Sequence, residues 1–168
     1  MKRYLMPALL CLTMILAGCG NDSASNETNI KEFVSQLSDS NIVESATIND
    51  ETLVVQDGVE EDIYNLPEDE FFISVAPYLT YTHPCEFHSL TGCQSEMVDE
   101  EMDVRITDEQ GKAHFDETVT TLENGFMDFW LPRDKQYTIE ISYQNKYTEY
   151  TFSTFEGDST CLTDLQLK

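Results

Sequence analysis

Two histidines and two cysteines lie close together in residues 83–93: His83, Cys85, His88 and Cys93. A further cysteine, Cys161, lies near the C-terminal end of the chain. Thiolate and imidazole are side chains that bind copper and zinc, and thiolate favours copper in its soft +1 state. These residue types predict a thiol-rich metal site, provided that folding brings Cys161 back to the segment.

The spacing of these residues leaves several kinds of site open. It contains no CxxC pair and matches no zinc-finger framework, and Pro84 favours a loop beside Cys85. Cysteines of exported proteins often form disulfides, and three thiols allow three bridges: Cys85–Cys93, Cys85–Cys161 and Cys93–Cys161. Each bridge leaves one thiol free. The alternatives to copper binding are a surface binding module stapled by a disulfide, a structural zinc site, and thiol redox chemistry without a metal.

The N-terminal residues have the pattern of an export signal. Lys2 and Arg3 precede an apolar run that ends in Leu16-Ala17-Gly18-Cys19, which resembles a bacterial lipobox. We expect residues 1–18 to be a lipoprotein signal peptide and Cys19 to carry the lipid. Residues 19–28 have the composition of a flexible tether. The expected location is the cell envelope, facing the periplasm or the outer surface of the cytoplasmic membrane.

The strongly negative charge of the chain argues against binding to anionic partners. It has 32 acidic and 9 basic residues, for a formal net charge of −23. Such a surface repels nucleic acid and anionic lipid headgroups. After the signal peptide, no apolar run is long enough to cross a bilayer, so the expected membrane attachment depends on Cys19 alone.

The first mature segment, residues 29–97, predicts a small α+β domain that ends in the His/Cys segment. Apolar residues at helical spacing predict a short amphipathic helix: Ile30, Phe33, Val34 and Leu37. Asp57-Gly58 predicts a tight turn between two short strands. Residues 71–81 are apolar and favour a strand.

Residues 98–168 predict a second domain, an antiparallel β-sandwich. Apolar and polar residues alternate there in at least five short strands separated by turn residues. Ala113 and Phe115 continue an inward face, so His114 is expected to face solvent. A last strand over residues 162–167 is expected to fix the position of Cys161. The predicted fold class is α+β, mainly β.

Several motifs of the chain resemble those of one family. They are Phe71-Phe72 through Ala76-Pro77-Tyr78, His83-Pro84-Cys85, Phe87-His88-Ser89-Leu90-Thr91-Gly92-Cys93-Gln94, Asn124-Gly125-Phe126, Phe129-Trp130-Leu131-Pro132-Arg133-Asp134 and Thr160-Cys161-Leu162-Thr163-Asp164-Leu165-Gln166-Leu167. Over roughly residues 71–168 the chain is similar to the CueP family of bacterial periplasmic copper-binding proteins. The resemblance implies copper binding by Cys85, Cys93 and Cys161, an envelope copper store or carrier, and reduction of Cu(II) to Cu(I).

A physical mechanism for that reduction needs two thiols. Together they give one electron to each of two cupric ions and close to a disulfide, while the remaining thiol, with His83 or His88, holds Cu(I). Our hypothesis is that Cys93 and Cys161 act together and that Cys85 is the third ligand or the exchanging thiol. The expected partners are copper ions and an envelope cuproprotein client, with zinc as an alternative ion at the same residues. The sequence leaves a homodimer open.

Overall fold

A computed structural model describes residues 23–38 and 40–168. The predicted signal peptide and the predicted lipid site at Cys19 lie outside the described residues. One helix, α1 (Ser23–Leu37), begins within the predicted tether, so that residues 23–28 are helical. The helix confirms the predicted amphipathic pattern, because Ile30, Val34 and Leu37 are buried. No helix in the described part of the chain is long and apolar enough to span a membrane.

Strands make up most of the remaining structure. In chain order they are β1 (Ser45–Ile48), β2 (Thr52–Asp57), β3 (Glu60–Asn65), β4 (Glu70–Tyr78), β5 (His88–Ser89), β6 (Glu101–Asp108), β7 (Ala113–Thr120), β8 (Met127–Pro132), β9 (Gln136–Tyr143), β10 (Lys146–Ser153) and β11 (Cys161–Gln166). They form three sheets with the orders β3-β2-β1-β5, β10-β9-β6-β7 and β11-β4-β8. All the pairs are antiparallel except β11 with β4, which is parallel.

The sheet β11-β4-β8 is covered on both faces. On one face Phe71, Ile73 and Val75 pack into a core shared with β6, β9 and β10. On the other face Phe72 joins a second core formed with α1, β1 and β2. Strand β4 is therefore almost wholly buried, which is why residues 71–77 are mostly apolar without alternation.

The architecture of the described residues confirms the predicted class: mostly strands, one short helix, and sheets packed as a sandwich. Strand β11 also confirms the predicted last strand after Cys161. Strand β4, from the predicted first domain, pairs with β8 and β11 of the predicted second domain. The division at residues 97 and 98 stays a prediction, and the two stretches share a sheet.

The predicted orientation of His114 is wrong. Its ring packs edge-on against Tyr137, and its Nε2 lies 2.9 Å from Asp108 Oδ2. The cause is a bulge in the pairing of β6 with β7, where Ile106 pairs with Phe115 but Thr107 pairs with Ala113. One extra residue in β7 breaks the strict alternation on which the prediction depended, and Ala113 is exposed instead.

Candidate metal centre

Cys161 reaches the His/Cys segment because β11 lies beside β4. In this parallel pair Cys161 stands opposite Ser74. The preceding residue, Thr160, is fully buried and has contacts with three other parts of the chain. Its backbone carbonyl accepts from Ser74 N at 2.9 Å, and its backbone N donates to Glu86 O at 3.1 Å. Its hydroxyl donates to Ile48 O at 2.7 Å and accepts from His88 N at 3.1 Å.

His88 is held in place by the short strand β5. That strand pairs with β1, so that His88 stands opposite Ile48. The imidazole is fully buried, with its ring centroid 4.6 Å from that of Phe126 and 6.3 Å from that of Phe72. The walls around the ring are therefore aromatic, and its two nitrogens are its only polar groups.

The chain turns back between His88 and Cys93. Leu90 N donates to Ala46 O at 2.9 Å, and Ala46 N donates to Thr91 Oγ1 at 3.2 Å, which fastens the loop to β1. Cys93 N then donates to Ser89 O at 3.0 Å. This turn brings Cys93 back toward Cys85, as their separation in the sequence requires if both are to reach one ion.

Four donor atoms meet at this place. One ligand atom from each of Cys85, His88, Cys93 and Cys161 lies within 4.8 Å of all the others. Cys85 and Cys161 are joined by a disulfide, and Cys93 is free. Cys93 Sγ lies 3.7 Å from Cys85 Sγ, and Cys161 Sγ lies 3.6 Å from His88 Nδ1. Cys161 is buried, whereas Cys85 and Cys93 are half-exposed.

The structure thus gathers four of the five residues that the sequence singled out. The bridge joins Cys85 with Cys161 and does not join the pair that we expected to act together, Cys93 and Cys161. His83 lies outside the cluster, where its Nε2 is 3.0 Å from Gln94 O. The prediction treated the two histidines alike because the sequence does not show that only His88 belongs to a strand.

The surroundings set the protonation of the donors. Burial, together with the nearby His83, lowers the pKa of His88 to about 3, so its imidazole is neutral and can act as a ligand. Burial raises the pKa of the Cys93 thiol, although the hydrogen bond from Ser89 N opposes the shift. A metal that binds Cys93 at neutral pH must therefore displace its proton.

Two polar residues behind His88 were missed by the sequence reasoning. Ser74 Oγ lies 3.3 Å from His88 Nε2 and donates to Asp128 Oδ1 at 2.6 Å. Asp128 Oδ2 accepts in turn from Ser38 Oγ at 2.5 Å. The available signal was a polar residue inside an apolar strand, since Ser74 lies between Ile73 and Val75. Such residues need a hydrogen-bond partner when they are buried.

The chain is similar to known proteins in both sequence and structure. The family model described as periplasmic copper-binding protein CueP matches residues 29–166. The crystal structure of S.CueP is similar with a TM-score of 0.78 and 31% sequence identity, over 89% of this chain and 100% of that chain. No curated protein matches the chain. The family match over most of the chain, together with a solved structure of the same architecture, shows that this chain belongs to the CueP family of periplasmic copper-binding proteins.

Proposed function

We propose that the chain is an envelope copper-binding lipoprotein that holds Cu(I) with the reduced thiols of Cys85, Cys93 and Cys161 and with the imidazole of His88. The observation that supports the proposal is the meeting of these four donors within 4.8 Å. Copper is here the cargo of the protein, held for copper resistance or for handover to an envelope cuproprotein client.

The spacing of the donors fits such an ion. A metal with bonds of about 2.3 Å to sulfur separates its donors by roughly 4 Å in trigonal geometry. The separations of 3.7 Å between Cys85 Sγ and Cys93 Sγ, and of 3.6 Å between Cys161 Sγ and His88 Nδ1, are close to that value. Cys93 is already a free thiol. Reduction of the bridge frees the thiols of Cys85 and Cys161, whose Cα atoms are 5.7 Å apart, without a long movement of the backbone. Three thiols and an imidazole are soft enough to favour Cu(I). His83 is a candidate ligand only for a form in which its contact with Gln94 opens.

The same residues support reduction of Cu(II). Two thiols and two cupric ions give one disulfide, two cuprous ions and two protons. The existing bridge favours Cys85 and Cys161 as the electron donors. Cys93 and His88 then remain to hold one Cu(I), and the second ion leaves to a client or to a chelator.

Anaerobic titration tests the copper site. The reduced full chain competes for Cu(I) with a chelator of known affinity, beside the variants Cys85→Ser, Cys93→Ser and Cys161→Ser. We expect one tightly held Cu(I) in the parent and an affinity that falls by at least about 100-fold in each variant, more than the loss typical for outer-shell residues. Equal affinity in the parent and in all three variants would refute the thiol site.

A separate measurement tests the reduction. The reduced chain is mixed with Cu(II) and a Cu(I)-specific chelator, and the disulfides are then mapped by mass spectrometry of peptides. We expect two cuprous ions for each bridge formed, and a bridge between Cys85 and Cys161. A bridge that excludes Cys161, or no cuprous ion, would contradict the proposed pair.

The lipid anchor is proposed from the sequence alone. Leu16-Ala17-Gly18-Cys19 is the supporting pattern, and the expected location is the membrane surface that faces the periplasm. Incorporation of labelled fatty acid into the parent, but not into Cys19→Ala, is the expected outcome. A mature chain without lipid, cleaved elsewhere, would show an ordinary export signal.

A second candidate function is favoured by the disulfide itself. A bridge between distant parts of the chain, here Cys85 and Cys161, also suits a stapled surface module without copper chemistry. That candidate predicts a bridge resistant to mild reductant and no tight copper binding once the thiols are freed. Counting thiols before and after mild reduction, followed by the Cu(I) titration and a parallel zinc titration, separates the two candidates. Redox-silent zinc binding with loss of the fold on chelation would instead indicate a structural zinc site.

A further inference from the structure

The imidazole of His88 has different surroundings at its two nitrogens. Nδ1 lies 3.6 Å from Cys161 Sγ, on the side of the sulfur cluster. Nε2 lies 3.3 Å from Ser74 Oγ, on the opposite side of the ring. A neutral imidazole carries one proton, and the partner at one nitrogen decides which nitrogen is free to bind a metal. The hydrogen bond between Ser74 and Nε2 therefore decides whether Nδ1 is free to bind a metal.

The hydroxyl of Ser74 has its own proton committed elsewhere. It donates to Asp128 Oδ1 at 2.6 Å, while the other carboxylate oxygen accepts from Ser38 Oγ at 2.5 Å. Burial raises the pKa of the Asp128 carboxyl, and the hydrogen bonds from Ser38 and Ser74 oppose that shift. In its ionised form the group is an acceptor only, so it accepts from both hydroxyls at once. With its proton donated to that carboxylate, Ser74 Oγ offers a lone pair to His88 Nε2, an arrangement that requires the imidazole proton on Nε2.

The carboxylate of Asp128 lies between Ser74 and a groove at the surface. Asp128 is half-buried and lies at a groove between α1 and strands β7 and β8, which Lys31 and Glu32 also line. Lys31 also forms an ion pair with Glu70 at the start of β4. Ser74 is fully buried between this groove and His88. Ser74 and Asp128 are cross-strand partners on β4 and β8, so the chain of contacts runs along one face of the sheet β11-β4-β8, from the copper site to the groove beside α1.

We infer that Ser74 and Asp128 are positioning residues that hold the His88 imidazole with its proton on Nε2 and with Nδ1 free to bind copper. The inference rests on the proposed function, because it concerns the ligand state of one of the proposed donors. Metal-binding histidines commonly donate their second ring N–H to such a partner, and loss of the partner typically lowers metal affinity 10- to 100-fold. Among the described residues, the hydrogen-bond partners of the Asp128 carboxylate are Ser38 and Ser74, so the effect of Asp128 on copper binding passes through Ser74 and His88.

A spectroscopic measurement on the copper-free, reduced full chain tests the proton position. Long-range ¹⁵N–¹H spectra distinguish a protonated from an unprotonated ring nitrogen. We expect the parent to show a protonated Nε2 and an unprotonated Nδ1 for His88, and we expect Ser74→Ala to show a mixture of the two tautomers. A protonated Nδ1 in the parent would overturn the inference, whether or not the chain binds copper.

A double-mutant cycle tests the effect on binding. Cu(I) affinity is measured for the parent, Ser74→Ala, His88→Ala and the double variant, with Ser142→Ala, an exposed position on β9, as the matched control. We expect Ser74→Ala to lower the affinity about 10-fold or more in the parent, but less than twofold in the His88→Ala background. An equal loss in both backgrounds would show a merely structural role for Ser74, and no loss in the parent background would refute the inference.

The outcomes separate the two proposals. A parent that binds Cu(I) while Ser74→Ala binds equally well refutes the positioning role and leaves the proposed function intact. A parent that does not bind Cu(I) refutes the proposed function, and the proton position is still decided by the spectra. Should Ser74→Ala fail to fold, Asp128→Asn gives the same test: we expect mixed tautomers and a weaker affinity, and unchanged values for both would overturn the inference.

Discussion

The sheet β10-β9-β6-β7 and the copper site are built in opposite ways. In the sheet, two pairs of strands are hairpins of consecutive strands, β6 with β7 and β9 with β10. The site depends on partners far apart in the sequence: Cys161 and Cys85 are separated by 76 residues, and Thr160 and Ile48 by 112. Local pairing forms both hairpins of the sheet, and β6 with β9 is its one pairing of strands that are not consecutive, whereas the copper site exists only when distant strands have docked.

This difference separates stability from function within one chain. The side chains of β6 and β9 that face the core are hydrophobic and buried in a cluster that includes none of the four metal donors. Near the donors, buried polar groups such as Ser74, His88 and Thr160 replace apolar ones, and each has a hydrogen-bond partner. We therefore expect substitutions in the sheet to act on folding alone, and substitutions around Thr160 to act on folding and on copper binding together.

Reduction of the bridge should have the largest effect on stability. The bridge closes a loop with a sequence separation of 76, and loss of such a disulfide typically costs about 2–5 kcal/mol of unfolding free energy. Denaturant unfolding of the copper-free chain with and without reductant measures the change. In the double variant Cys85→Ser/Cys161→Ser, which keeps only Cys93 of the three thiols, the reductant should have no effect. A parent whose stability is the same in both states would show that docking of β11 does not depend on the bridge.

Ile141→Ala tests whether the sheet β10-β9-β6-β7 contributes to stability without contributing to copper binding. Ile141 is fully buried in β9, and truncation of such a residue costs about 2–5 kcal/mol. While the variant remains folded, the Cu(I) affinity should change less than twofold. Denaturant unfolding and chelator competition measure the two quantities on the same sample. A copper affinity that falls with the stability would mean that the sheet and the site are coupled.

Thr160→Ala should have a smaller effect on stability and a clear effect on copper. The change removes a donor to Ile48 O and an acceptor of His88 N, and such a loss between buried groups costs about 1–3 kcal/mol. The Cu(I) affinity should also fall, because the same hydroxyl fixes the position of His88. Thr138→Ala, on β9, is the control and should change the stability by less than about 0.5 kcal/mol. An unchanged copper affinity in Thr160→Ala would show that other contacts fix the histidine.

The smallest expected effect is the pH-dependent stability that Glu96 contributes, beside the loop that leads from β4 to the site. Burial raises the pKa of Glu96, but hydrogen bonds from Thr80, Leu79 and Tyr81 outweigh it and leave the pKa below its ordinary value. A lowered pKa gives stability that is present above the pKa of the unfolded chain and is lost as the pH falls through the folded value. The parent should therefore lose its advantage over Glu96→Gln as the solution is acidified.

Thermal unfolding between neutral pH and about pH 3 measures this change. The effect is small because the carboxylate is open to solvent. Glu117→Gln, at an exposed position of β7, is the matched control and should follow the parent. A constant difference between the parent and Glu96→Gln across the whole range would show that the carboxylate contributes no pH-dependent stability.

Several features of the chain could be predicted from its sequence. Helical spacing identified the turns of α1 that are buried, alternation identified the strands of the sandwich, and the long apolar run identified β4. The types of the donor residues indicated a soft metal before any geometry was known. These features depend on neighbouring residues, whose side chains point in directions fixed by the local period of the backbone.

Only the tertiary structure decided how the donors combine. The bridge between Cys85 and Cys161, the exclusion of His83, and the contacts of His88 with Ser74 and Asp128 follow from the parallel docking of β11 on β4 and from the pairing of β5 with β1. A bulge in β7 likewise moved His114 from its expected face. The composition and order of the residues determine which chemistry is available. Contacts between distant strands determine which atoms meet, because no local period relates residues so far apart in the chain.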